Sequence, residues 1–322
     1  MIIVTGTEGF IGSVLVEKLL VRGYKDLVCV DLEHVERNQY ISEDLNIKNL
    51  THRELFDFIE DKHLFIEFIF HLGACSDTTQ TDKRIFDELN LNYTKKLWSS
   101  CIKYGIPFLY ASSAATYGDG SNGYSDEHEL IPELKPLNLY GQSKQDFDMW
   151  ALQQEVKPLF WAGLKFFNVY GRNEIHKNSM ASVVLHSFNQ IQKQGYVNLF
   201  RSHRDDVKDG DQSRDFIYVD DVCDVMMFYM EEMPASGIYN VGTGINRTFS
   251  DLARATFKAL GLPSNIKYVD TPLKLRGQYQ YYTKADISKL RSVGYTTSFT
   301  TLESGVSDYV KQYLMNVAKV AV

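Results

Sequence analysis

Tyr140 and Lys144 stand four residues apart in the segment YGQSK (140–144), and Ser113 closes the run FLYASS upstream of them. A free phenol ionises near pH 10, too high for a general base at neutral pH. An ammonium one helical turn away stabilises the phenolate and brings that value down. With Ser113 bonding a substrate oxygen, the three side chains form an acid–base set. Such a set removes a hydroxyl proton while a hydride leaves the same carbon. Alone, Tyr-x-x-x-Lys is common by chance, and an exposed helical pair contributes little.

The amino end carries a partner for that chemistry. TGTEGFIG (5–12) places Gly6, Gly9 and Gly12 between an apolar run and a helix-like one. Glycines so placed permit a tight turn, let backbone N–H groups approach a pyrophosphate, and let the helix pack on the strand. The helix amino end then favours the phosphates. Asp31 closes the next apolar run, where a carboxylate holds the adenosine ribose diol and repels a 2′-phosphate. Arg37 and Arg53 offset that repulsion if they fold over the ribose, and Glu33 and Glu36 oppose them, so these residues leave NAD and NADP both open. A second lysine, Lys177, sits in HKNSM (176–180), just after LKFFNVYGRNE. Most loop lysines are solvated surface groups, so its meaning depends on the surrounding motifs.

The elements that must position these residues follow from hydrophobic periodicity. IIVT (2–5), LVCVD (27–31), FIEFIFHLG (65–73) and IPFLYASS (106–113) are apolar on both faces, as buried parallel strands require. Helical stretches at 9–23 and 84–105 alternate with them, the second ending at Gly105. This alternation predicts right-handed crossovers and a doubly wound parallel α/β sheet, with ligands at the carboxyl ends of its strands. MASVVLHSFNQIQKQG (180–195) reads as a further helix, and FIYVDDV and GIYNVGTG as strands that could rejoin the sheet. Residues 1–167 plus 214–242 are expected to form the dinucleotide-binding domain. Residues 168–213 plus 243–322 are expected to form a smaller mixed α/β substrate-binding lobe.

The 322 residues suffice for a substantial core, and the net charge of −7 leaves no basic footprint for nucleic acid or for an anionic membrane. No run approaches a membrane span, and the start has no leader-like pattern, which suits a cytoplasmic protein. Four scattered cysteines suit reduced thiols. No Cys/His spacing suggests a metal site, so none is expected.

TGTEGFIG, HLGACS (71–76), SSAATYG, YGQSK, FFNVYG and RDFIYVDD (214–221) together resemble the extended short-chain dehydrogenase/reductase family, mostly nucleotide-sugar epimerases and dehydratases. The resemblance runs from residue 5 to about 244. Within the family, FLYASSAATYG, FFNVYGRNEIHKNSMASV and LRGQYQYYTKADI (275–287) are similar to the branch that inverts C6″ of ADP-linked heptoses, serving lipopolysaccharide core precursors. That resemblance implies an isomerase that transiently oxidises the sugar on a bound nicotinamide. The hydroxyl points in opposite directions before and after, so two acid–base groups are needed within hydrogen-bond reach. Tyr140 is implied as one and Lys177 as the other, with Ser113 and Lys144 assisting.

Cofactor contacts are implied at Gly6, Gly9, Phe10, Ile11, Gly12, Asp31, Leu32, Arg53, Gly73, Ala74, Cys75, Asn90, Lys144 and Lys177. Substrate contacts are implied at Ser113, Asn168, Ser179, His186, Phe200, Arg214 and Tyr279, with Arg214 suited to fork a pyrophosphate. Members usually take NADP and carry Asn after the second-strand Asp; here Leu32 stands there, which also admits NAD. A homo-oligomer, a pentamer, is implied as well. Two stretches depart from the family pattern: the polar run 201–215 is long, and 119–130 is expanded and could cover the site. A dehydratase would want acidic residues where SSAAT has alanines, a 4-epimerase would not need Lys177, and a non-catalytic dinucleotide sensor would not need the retained Ser113, Tyr140 and Lys144.

Overall fold

The computed structural model describes residues 1–33, 47–276 and 280–320. Its centre is a seven-stranded sheet in which every pairing is parallel. The strands are β1 (Ile2–Thr5), β2 (Leu27–Asp31), β3 (Ile47–Thr51), β4 (Phe68–His71), β5 (Phe108–Ser113), β6 (Trp161–Phe166) and, from later in the chain, β10 (Gly237–Val241). They lie in the order β10-β6-β5-β4-β1-β2-β3, so the chain reverses its direction of travel between β1 and β4. Register sets the level of the site. Thr5 pairs with Val30 and with His71, which brings Gly6, Asp31 and Gly73 out of the sheet along one edge. A crevice at such a reversal is where doubly wound sheets bind ligands.

Helices cover both faces because the strands are apolar on both. On one face α1 (Phe10–Val21) packs beside the later helix α6 (Val219–Glu232), with Val14, Leu15 and Leu19 meeting a core that includes Val222, Met226 and Tyr229. On the other, α2 (Leu55–Lys62), α3 (Tyr93–Tyr104) and α4 (Leu139–Gln153) bury Leu55, Ile59, Leu97, Trp98 and Phe147. Each such side chain contributes about 1.5–3 kcal/mol. Gly105 ends α3 in the left-handed conformation at φ 68°.

The second part begins at β7 (Asn168–Tyr170), followed by α5 (Val183–Gln194), β8 (Val197–Phe200), β9 (Ser213–Tyr218), β11 (Asn246–Thr248), α7 (Phe249–Ala259) and β12 (Ile266–Val269). The expected 214–242 segment therefore divides. β10 rejoins the large sheet, but β9 pairs with β7 and β11 in a three-stranded sheet of its own. FIYVDDV divides too, because α6 starts at Val219. Asp220 and Asp221 fall in the first helical turn, where their charge suits the helix amino end. Asp221 also accepts from Thr300 N and Oγ1 at 2.8 Å each.

The expanded stretch 119–130 does not cover the cleft. It closes the open edge of the sheet. Asp126 Oδ2 accepts from Asn240 N at 2.7 Å and His128 Nε2 accepts from Ile238 N at 3.0 Å, so side chains satisfy the outward N–H groups of edge strand β10. The polar run 201–215 is likewise tied down. Arg201 N donates to Val269 O at 2.8 Å beside β12, and His203 N donates to Tyr281 Oη at 2.9 Å. Among the described residues, no helix is long and apolar enough to cross a membrane.

Candidate active site

At the carboxyl ends of the strands lies one cleft of about 910 Å³, lined from both parts of the chain. Its floor is the glycine loop. Gly9 caps α1 without a side-chain hydrogen bond, which leaves the helix amino end free for an anion. A Cβ on Gly12 would sit 2.0 Å from Gly6 O, and one on Gly6 would sit 2.7 Å from Gly73 N, so side chains at either point would fill the cradle. Asp31 accepts from Glu8 N and Leu32 N, both at 2.8 Å. A carboxylate has lone pairs beyond these two for a ribose diol. These features fit a nicotinamide dinucleotide, with its pyrophosphate at α1 and its adenosine ribose at Asp31.

A buried relay fixes the loop after β4 to that floor. Gly73 N donates to Thr5 Oγ1 at 3.0 Å, and the Thr5 hydroxyl donates to His71 Nδ1 at 2.7 Å. The Thr94 hydroxyl is committed to Asn90 O at 2.6 Å, so at 2.9 Å it accepts from His71 Nε2. His71 is therefore the neutral Nε2–H tautomer, and burial pushes its pKa down to about 3. Asn90 spends its amide on Cys75: Oδ1 accepts from Cys75 N at 2.8 Å, and Nδ2 donates to Cys75 O and Ser143 Oγ, both at 2.9 Å. The site residue implied at Asn90 thus shapes the loop 73–75 from behind and does not line the cleft.

Tyr140 opens the helix α4, whose first turn is capped by Asn138 Oδ1 accepting from Gly141 N at 2.8 Å. Burial raises the Tyr140 phenol, and hydrogen bonding with Ser113 opposes the rise. Lys144 donates from Nζ to Ala111 O at 2.7 Å, and burial lowers its pKa to about 8. Ser113 accepts from Ala115 N at 3.1 Å, which starts the helical turn Ala114–Tyr117. All three side chains meet in the cleft.

Lys177 enters the same cleft from a separate element, the turn Ile175–Met180. Its Nζ lies 5.2 Å from the centre of the Phe10 ring and has no hydrogen-bond or ion-pair partner among the described residues. Burial lowers its pKa, and the Glu174 carboxylate works against the shift. Glu174 is the anchor of this turn. It is fully buried and accepts from Ser182 N and Ser182 Oγ, both at 2.6 Å, and from Gly171 N at 3.3 Å. Across the cleft mouth, Thr78 Oγ1 meets Met180 Sδ at 3.6 Å.

The remaining implied residues divide. Gly6, Gly9, Phe10, Ile11, Gly12, Asp31, Leu32, Gly73, Ala74, Cys75, Asn168 and Arg214 line the cleft. Arg214 donates to Ser213 O at 2.9 Å and to Gln280 O, and its guanidinium lies 5.4 Å from the Phe249 ring centre. Ser179 and Phe200 do not line the cleft. His186 faces a separate shallow hollow with Asn189 and Lys193, because α5 turns that side away. Arg53 reaches outward and pairs with Glu33 at 3.1 Å. Tyr279 lies outside the described residues. Sequence reasoning missed Glu174 and His71. Their signals were present, since RNE directly precedes IHKNS and His71 opens HLGACS.

Residues 2–242 match the NAD dependent epimerase/dehydratase family. The chain is 46% identical over 333 aligned residues to the ADP-L-glycero-D-manno-heptose-6-epimerase of Fusobacterium nucleatum subsp. nucleatum, covering 98% of both proteins. It is similar in structure to the ADP-L-glycero-D-manno-heptose-6-epimerase of Helicobacter pylori, with a TM-score of 0.77 at 26% identity over 97% of this chain and 95% of that one. It also resembles MoeE5 in complex with UDP-glucose and NAD, with a TM-score of 0.78 at 25% identity over 98% and 99% of the two chains.

Proposed function

The chain belongs to the NAD dependent epimerase/dehydratase family, and on that premise we propose that it inverts C6″ of ADP-D-glycero-D-manno-heptose to give ADP-L-glycero-D-manno-heptose. One observation carries the reading: Tyr140 and Lys177 reach a single cleft from unrelated elements, α4 and the turn Ile175–Met180. Inversion at the 6″-carbon is served by such an arrangement. The 6″-hydroxyl proton leaves toward one group, and the proton that rebuilds the hydroxyl arrives from the other. Tyr140, hydrogen-bonded with Ser113 and backed by Lys144, takes or returns the proton on one side. Lys177 does the same on the other, and burial, by lowering its pKa, makes its ammonium a readier proton donor. When bound, the dinucleotide supplies the hydride acceptor and then the hydride donor at that carbon. Arg214 and Asn168 hold the ADP-sugar, the first as a cation for its pyrophosphate.

The family resemblance favours NADP, and the Asp31 carboxylate also admits NAD. Asp31 places a carboxylate at the ribose, and Arg53, the nearby cation, is already paired with Glu33. Release of the bound dinucleotide from the purified chain, followed by mass spectrometry, identifies it.

The deciding experiment is an NMR time course with ADP-D-glycero-β-D-manno-heptose and no added cofactor. Appearance of the C6″ epimer supports the substrate and a retained, recycled dinucleotide together. No change in a sample shown to carry dinucleotide removes the heptose and leaves another nucleotide sugar to be found.

A further inference from the structure

Beneath the catalytic residues lies an ion pair that the proton transfers do not use. Lys165 on β6 and Asp148 on α4 are both fully buried, with Nζ and Oδ2 2.6 Å apart. Asp148 also accepts from Tyr110 Oη at 2.9 Å and from Ser112 Oγ at 2.7 Å. Lys165 also donates to Thr116 Oγ1 at 2.8 Å. Two charges so deeply desolvated are often no more stabilising than apolar side chains of the same volume. Stability alone therefore does not explain them.

Their contacts lead to the site. The Thr116 hydroxyl that accepts from Lys165 donates to Ser113 O at 2.8 Å. Ser112, held by Asp148, precedes Ser113. Lys144 donates to Ala111 O at 2.7 Å. Three successive residues at the end of β5 are thus gripped by Lys144, by Asp148 and, through Thr116, by Lys165. Asp148 also follows Lys144 by one turn of α4, on the same helical face as Tyr140.

We propose that the Asp148–Lys165 pair is a positioning device for the acid–base site: it locks the strand end bearing Ser113 against the helix bearing Tyr140 and Lys144, and its carboxylate keeps Lys144 as the ammonium. The inference rests on the reading of Tyr140 and Lys144 as catalytic. The groups that face Lys144 are Asp148 and Tyr140 on its own helix, the neutral His71 on β4, and Cys75 in the loop after β4. Of these, the Asp148 carboxylate is the main group opposing the burial that lowers Lys144.

The test compares the full chain with the double variant Asp148→Asn/Lys165→Met, which removes both charges of the pair together. The Lys144 titration is followed by NMR of ¹³C-labelled lysine, the signal being assigned with Lys144→Met, and kcat and KM are measured beside it. The Lys144 midpoint is expected to fall by about one pH unit. The kcat is expected to fall roughly tenfold or more at nearly unchanged KM, as misplacement of a reacting group produces. An unmoved midpoint, or a kcat within about twofold of the parent, overturns the proposal. If the double variant does not fold, Thr116→Val, which cuts the link from Lys165 to Ser113 and keeps the ion pair, decides: a kcat loss at constant KM supports the device, and an unchanged kcat overturns it. The titration needs no sugar. If the Lys144 midpoint falls in the double variant as expected but the parent chain does not turn over the ADP-heptose, only the substrate reading is lost.

Discussion

Tyr140 stands on a 15-residue helix and Lys177 on a six-residue turn. The helix is capped at its start, packed along its length, and tied to β5 through Lys144 and Asp148. The turn hangs mainly from one buried carboxylate, Glu174, and contains a residue in a strained backbone conformation, Asn178 at φ 49° and ψ −119°. Lys144 spends its ammonium on a backbone carbonyl, whereas Lys177 keeps its ammonium uncommitted beside an aromatic ring. One wall of the cleft thus holds its side chains still, and the other presents an ammonium to whatever enters. The proposed inversion, which must serve two faces of the same carbon, has use for both.

The largest expected effects remove the groups themselves. Tyr140→Phe and Lys177→Met should each lower kcat for epimerisation by about 10²–10⁴-fold, the range of a lost acid–base group. Dinucleotide affinity, read by calorimetry, should stay within a few-fold in both. If Lys177→Met retains full activity, the comparison collapses and that lysine is a solvated surface group.

The next prediction concerns the rigid wall and pH. Lys144 has a folded pKa of about 8 against an ordinary 10.5. Below about pH 8 both folded and unfolded chains hold the proton, and the full cost of burying it is present. Between about 8 and 10.5 the unfolded chain keeps the proton while the folded chain has lost it, so stability rises with pH across that window. Relative to Lys144→Met, the parent should gain roughly 2–3 kcal/mol between pH 7.5 and 10.5 in urea unfolding. A flat difference between the two would mean that Lys144 is not desolvated by its site.

On the Lys177 side, Glu174→Ala should cost about 2 kcal/mol of stability, since it leaves Ser182 N and Gly171 N without their acceptor. It should also lower kcat by roughly tenfold through displacement of Lys177, with Tyr140 and the dinucleotide untouched. Loss of stability without loss of kcat would show that the turn holds Lys177 by other means.

The two walls also differ in how far they could be read from sequence. The glycine loop, Asp31 and the Tyr140–Lys144 spacing are local patterns, and each works through residues a few positions apart. The buried partners are not local. Asp148 meets Lys165 across 17 positions and Tyr110 across 38, and His71 meets Thr5 across 66. Only the folded register brings them together. The stretch 119–130 was misread as a cover for the same reason: its Asp126 and His128 find acceptor roles on β10, a strand more than a hundred positions away. FIYVDDV was misread for a local reason, because Val and Tyr favour strands while the two aspartates start a helix.

The smallest effect tests whether the strain at Asn178 is part of the design of the second wall. A non-glycine residue at φ 49° and ψ −119° lies outside the compact left-handed basin, and such conformations cost on the order of 1–3 kcal/mol. Glycine removes that cost but adds unfolded-state entropy of roughly 0.5–1 kcal/mol and gives up the bond from Asn178 Nδ2 to His176 O at 3.2 Å. The balance favours Asn178→Gly by about 1 kcal/mol in denaturant unfolding. Because Asn178 directly follows Lys177, the relaxed backbone should also let the lysine wander, lowering kcat a few-fold while KM holds. A variant that is both more stable and slower would mark the strain as a device that aims Lys177. A variant that is less stable would show that the side-chain bond, and not the backbone, governs this residue.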